Sequence, residues 1–113
     1  DRFEDITTLD TEADGVQIHV LSPLSMVGDL EMYMITFDVG ARLDSEPHFP
    51  KTEEFLTVLE GSVRVTAGEN STDMHKGDFI TYHCDIDHTI EHIGTAPAVI
   101  HMVVRYNAAV GKV

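Results

Sequence analysis

The sequence is poor in several things, and each shortage excludes something. One cysteine, Cys84, stands in 113 residues, so no internal disulfide can form and a reducing, cytosolic setting is the simplest reading. Tryptophan is absent, and no apolar run approaches the length that spans a bilayer. No charged-then-apolar leader opens the chain, and position 1 is Asp, so it reads as a trimmed form, a processed form or a piece of something longer. Basic residues are scarce: seven Lys and Arg face twenty Asp and Glu, a formal charge of -13. Such a surface repels phosphate backbones, which argues against direct contact with nucleic acid by this segment. Sustained helical periodicity is missing as well, and so are internal repeats and low-complexity tracts.

What is present is a hydrophobic content of 42%, enough for one globular domain with its own core. Residues 1–15 are polar and acidic and read as an arm or linker. From Val16 onward short alternating segments recur every eight to twelve residues, divided by Gly, Pro and Asp turns. Strands are expected near Val16–Leu21, Glu31–Val39, Glu54–Leu59, Ser62–Ala67, Phe79–Tyr82, His88–Ile93 and Ala98–Tyr106, with a weak one at 72–75. The Glu60-Gly61 turn predicts a hairpin between the third and fourth of these, and residues 41–52 read as a loop. Tyr33, Ile35, Phe37 and Val39 share one face, better suited to the core than to an interface. The pattern specifies an all-β sandwich or barrel over residues 16–106, with 107–113 as a tail.

Chemistry concentrates in two stretches, Pro47–Gly61 and Gly77–His92, which hold four of the seven histidines. His48 and Glu54 sit before and at the start of one strand. His88, Ile90 and His92 alternate and therefore share a face of another. Two imidazoles and a carboxylate converging in a barrel would suit Fe(II), and Mn, Ni, Co or Zn as well. His19, His75 and His101 read as ordinary strand or turn residues. Cys84, beside His83, reads as an inert thiol, because neighbours on a strand point to opposite faces.

These two stretches resemble the paired motifs of the cupin superfamily. In the first, His48-Phe49-Pro50, then three residues, Glu54, six residues and Gly61 match the family's spacing, with Pro50 at its second-histidine position. In the second, Gly77 and His88 stand at the expected separation, while His83, Asp85 and His92 replace the family's proline, glycine and asparagine. The resemblance implies a cupin-type double-stranded β-helix, a jelly-roll barrel, with metal-ligand positions at His48, Glu54 and His88. Pro50 removes a fourth ligand, which His92 would replace. A metal-free barrel binding a small organic molecule is the other outcome, with Leu56, Val58 and Ile90 as lining and His83 and His92 as polar contacts.

Ser45–His48, Glu53–Phe55, Val58–Gly61 and the closing Val99–Tyr106 segment further resemble the C-terminal cupin domain of bacterial helix-turn-helix regulators. That resemblance implies a cytoplasmic, non-enzymatic homodimer that senses a small-molecule effector or metal, without touching a membrane, while a separate segment binds DNA. The alternative is a stand-alone metal-dependent enzyme, a dioxygenase or isomerase, with His83 or His92 as general base. A passive structural barrel is the third reading.

Overall fold

A computed structural model describes residues 9–26, 28–45, 52–83 and 86–106. Ten strands make up almost all of it: β1 (Leu9–Ala13), β2 (Val16–Val20), β3 (Leu30–Phe37), β4 (Arg42–Ser45), β5 (Glu53–Glu60), β6 (Ser62–Ala67), β7 (Asn70–His75), β8 (Phe79–His83), β9 (His88–Ile93) and β10 (Ala98–Arg105). A single 3-10 turn at Leu24–Met26 is the one helical piece among the described residues. No helix there is long and apolar enough to cross a membrane.

The strands form two antiparallel sheets, ordered β1-β2-β3-β10-β5-β8 and β4-β9-β6-β7. Alternation decides which residues fill the space between them. Ile35 and Phe37 of β3, Leu56 and Val58 of β5, Val63 and Val65 of β6, Ile90 of β9, and Ile100, Met102 and Val104 of β10 are all buried. Tyr33 packs against that cluster from the same face. The expectation that Tyr33, Ile35 and Phe37 belong to the core is met. Val39 lies past the end of β3 and is 58% exposed.

Three expectations need correction. Residues 1–15, expected as an arm or linker, include a strand of the larger sheet: Leu9–Ala13 pairs with β2 across Asp14-Gly15. Both turn residues have positive φ, 53° and 83°, the geometry of a tight two-residue hairpin that favours Asp-Gly. Within 41–52, Arg42–Ser45 is a strand paired with β9. Four residues with two charges give too short an alternation to detect.

The third correction concerns β5 and β6, which are neighbours in sequence but not in a sheet. β5 lies between β10 and β8, and β6 between β9 and β7. The Gly61 turn therefore carries the chain from one sheet to the other. Its φ is +74°, and a Cβ there would sit 2.6 Å from the Pro97 carbonyl oxygen and 2.8 Å from Ala98 Cα. Only glycine lets the two corners touch. A turn signal fixes where the chain reverses, not which strand it pairs with next.

Candidate functional site

The site follows from register. On the inner face of the larger sheet, Val104 of β10 is opposite Glu31 of β3 and Glu54 of β5, and Glu54 is opposite Tyr82 of β8. One row at the open end of the barrel thus carries two carboxylates and a phenol. His88, the first residue of β9, reaches this row from the smaller sheet.

Glu54 is 3% exposed and His88 3%, and a carboxylate that deep needs compensation. Tyr82 Oη donates to Glu54 Oε1 at 2.5 Å. His88 Nε2 stands 3.3 Å from Glu54 Oε2, long for a charge-assisted hydrogen bond. The Tyr82 ring meets the His88 ring edge-on, with centroids 5.7 Å apart. On its other side His88 Nδ1 is 3.1 Å from the Ile86 carbonyl oxygen. A carbonyl only accepts, so Nδ1 carries a proton. Nε2 then faces a carboxylate, an arrangement that calls for a positive charge between them, either a second proton or a cation.

Burial acts against the charged imidazolium, and it is the largest single influence on the ring. The Glu54 hydrogen bond, the Ile86 carbonyl and the negative charges of Glu54 and Asp87 together outweigh it and raise the His88 pKa. A second acid–phenol group adjoins the first. Glu31 Oε1 accepts from Tyr33 at 2.5 Å and from Tyr106 at 3.0 Å. Burial first, then the Glu31 hydrogen bond and charge, push the Tyr33 phenol up, and Glu54 adds to the effect.

Next to this row lies a cavity of about 190 Å³ between the edge strands of the two sheets, lined by Val65, Ala67, Asn70, Ser71, Thr72, Ile80 and Tyr82. Ala67 is the register partner of His88. Nothing charged lines it, and Tyr82 separates it from Glu54. The arrangement can accommodate a small uncharged molecule on one side of the phenol and a cation or proton on the other.

The expected site residues divide as follows. Glu54 and His88 meet as expected. His48 lies outside the described residues. Leu56, Val58 and Ile90 do point inward, but they are 0%, 1% and 2% exposed and pack within the apolar core instead of lining the cavity. His83 lies on the outer face of β8 and is exposed; its neighbour Tyr82 takes the inward position. His92 is inward and buried, yet both its nitrogens are engaged at the other end of β9. Nδ1 accepts from the Gly40 amide at 3.0 Å, and Nε2 donates to the Ala96 carbonyl at 2.6 Å. It ties two corners together and is not available to replace a missing ligand.

The fit to a metal can be tested on these facts. Two donors that each sit about 2.0–2.2 Å from a zinc-like ion lie at most about 4.4 Å apart, and the His88–Glu54 separation of 3.3 Å is within that. Among the described residues no group of three His, Cys, Asp or Glu gathers to hold an ion. The pair fits part of a metal site.

Sequence reasoning missed Tyr82 and the Glu31–Tyr33–Tyr106 group. Alternation along Phe79–His83 carries a signal for Tyr82, since Ile80 fixes the inward parity.

An antiparallel jelly-roll barrel with a histidine–glutamate pair at its open end defines a cupin-type protein. The cupin domain family Cupin_2 matches residues 33–104, and the chain belongs to it. No curated protein matches the chain. Among solved structures it is similar to an HTH_3 family transcriptional regulator from Vibrio cholerae, with a TM-score of 0.75 and 29% identity over 81% of this chain. It spans only about half of that protein, 51%. The Cupin_2 domain of an XRE family transcriptional regulator from Enterobacter cloacae gives a TM-score of 0.76 at 17% identity, covering 81% of this chain and 97% of the other. The cupin domain of Cnp3 from Schizosaccharomyces pombe gives 0.77 at 12% identity, over 94% and 74%. The last two likenesses concern the fold alone.

Proposed function

We propose that this chain is the effector-sensing cupin domain of a transcriptional regulator, with its ligand held at the Glu54–Tyr82–His88 end of the barrel. One observation carries the reading: a buried carboxylate–imidazole pair, bridged through a phenol to a cavity without charged lining. The likeness to the Vibrio cholerae regulator supports it. A ligand that enters the cavity meets Tyr82, and Tyr82 holds Glu54, so occupation acts directly on the pair. A divalent cation is the other candidate effector, held by Glu54 and His88. Signalling then requires that the ligand prefer one of two barrel states, because equal affinity shifts no equilibrium.

The test is thermal unfolding of the chain with Zn²⁺, Mn²⁺, Ni²⁺ or Fe²⁺ and with a library of small uncharged organic molecules. At least one should raise Tm in the native chain and fail to do so in Glu54→Gln and Ala67→Phe or His88→Gln. The absence of any stabilising compound, or stabilisation that survives all three substitutions, would remove the reading.

A further inference from the structure

On the outer wall of the barrel, one row of the larger sheet gathers soft metal donors. Ile18 of β2, Ile35 of β3 and Ile100 of β10 are register partners that face the core. Alternation sends the residue beside each of them to the outer face. There His19, Met34 and His101 are partners in the same register, and all three are half-buried. The row continues through Thr57 to Phe79 without a lysine or arginine.

Register fixes how close these side chains come. Partners directly opposite on one face hold their Cβ atoms about 5 Å apart, so Met34 has an imidazole on either side and the two histidine Cβ atoms are about 10 Å apart. Bonds of about 2.0 Å from one ion to two ring nitrogens put those nitrogens about 4 Å apart. About 3 Å remains on each side, the reach of an imidazole from its Cβ to its ring nitrogens. An ion between the rings lies over Met34, whose long unbranched thioether adapts its position readily. The surface is concave here: a groove of about 530 Å³ is lined by His19 and Met34 with Glu12, Gln17 and Thr36. His101 adjoins it on β10.

Donor chemistry selects the ion. Among the described residues no third His, Cys, Asp or Glu joins the two imidazoles, which leaves zinc or manganese short of its usual set. Two imidazoles and a thioether are uncharged, and the soft thioether favours Cu(I) over hard divalent ions. The surroundings favour a cation too: the chain carries -13, Asp10 is the register partner of His19, and Glu12 lines the groove. We infer that His19, Met34 and His101 form a Cu(I) site on the outer face of the larger sheet, separate from the Glu54–His88 pair. The ion joins β2, β3 and β10 from outside and stabilises the folded chain according to its affinity. The inference is independent of what the barrel holds.

The test is an anaerobic titration of the chain with Cu(I) against a chromogenic Cu(I) chelator. One Cu(I) per chain is expected in the native chain. Cys84 is another soft donor and His88 another imidazole, so Cys84→Ser and His88→Gln serve as controls, and both should keep the ion. His19→Gln, His101→Gln and the volume-conserving Met34→Leu should each weaken binding at least tenfold. Zn²⁺ in excess should not displace Cu(I). The inference is overturned if the chelator strips the native chain, if any of the three variants binds as the native chain does, or if either control loses the ion. Displacement by Zn²⁺ overturns the assignment of the metal. Should a variant not fold, the native chain is titrated with Ag(I), a redox-inert substitute, and followed by NMR of the methionine methyl groups. The Met34 methyl should shift while that of Met74, buried in the smaller sheet, stays in place; a Met34 signal that ignores Ag(I) overturns the site.

Discussion

His88 and His92 begin from the same sequence position in every respect but one. Both are on β9, both face inward and both are buried, four residues apart or about 13 Å along the strand. At the closed end His92 joins the Gly40 amide to the Ala96 carbonyl, beside the corner where Gly61 meets Pro97 and Ala98. At the open end His88 faces a carboxylate and the edge of a phenol. The first histidine has backbone partners of fixed polarity and stays a structural tie. The second faces a carboxylate, whose hydrogen bond and charge favour the protonated ring. Partner chemistry, not strand position, separates a histidine that ties two backbone corners from one that pairs with a buried acid.

The strongest way to test that contrast is to remove His88. His88→Ala removes the imidazole from beside the buried Glu54 carboxylate, and breaking a buried pair by deleting one partner costs about 3–5 kcal/mol. The sign of its pH dependence follows from the raised pKa. The ring is more basic folded than unfolded, where its pKa is about 6.5. Its stabilisation is therefore fully present below that value and is lost as pH rises through the folded pKa. Urea unfolding of the two chains should show a larger difference at pH 6 than at pH 9. A difference that grows with pH would mean that His88 is held neutral.

Gly61→Ala attacks the other end. The added methyl meets backbone atoms at 2.6 and 2.8 Å, and the left-handed φ adds its own penalty of about 1–2 kcal/mol. With the displaced corner, a loss of about 3 kcal/mol is expected, read as a lower urea midpoint at unchanged slope. Ligand affinity of the folded protein should stay within a factor of two or so, which separates closed-end damage from open-end function.

How much of this could be read from the sequence differs between the same two regions. Strand positions were legible because period-two alternation survives in β2, β3, β5, β6, β9 and β10. Glu54 and His88 were legible because their spacing to Gly61 and Gly77 fits the family pattern. The fate of His92 was not, since its partners, Gly40 and Ala96, belong to other corners that only the folded chain brings near. The pairing of β5 with β8 and not β6 was hidden for the same reason. β1 differs: Asp14-Gly15 is a strong hairpin signal, overlooked because the residues before it are acidic and lack alternation. Tyr82 was recoverable from the parity of Ile80.

His92→Ala gives a cleaner measure of independence than of strength. It removes two hydrogen bonds, at about 1 kcal/mol each, so about 2 kcal/mol is expected from thermal or urea unfolding. If the two ends are separate systems, the His88→Ala and His92→Ala losses should add within about 0.5 kcal/mol in the double variant. A coupling above about 1 kcal/mol would mean that the barrel transmits strain along β9, and the contrast drawn here would need to be replaced by a single network.

Tyr82→Phe has the smallest expected effect on stability and the most to say about function. The ring stays, so the wall of the cavity and the edge contact with His88 are kept, and only the donor to Glu54 Oε1 is lost. One hydrogen bond to a charged group contributes about 1.5–3 kcal/mol, and His88 stays beside the other carboxylate oxygen, so the lower end, about 1.5 kcal/mol, is expected. Ligand binding is where the variant should stand out. If the phenol links cavity to pair, Tyr82→Phe retains affinity for an uncharged ligand in the cavity while uncoupling that ligand from the His88 titration, observed by NMR of the imidazole protons. A native chain whose His88 resonances ignore the ligand would show that cavity and pair are neighbours without communication, and the sensing role would then rest on the pair alone.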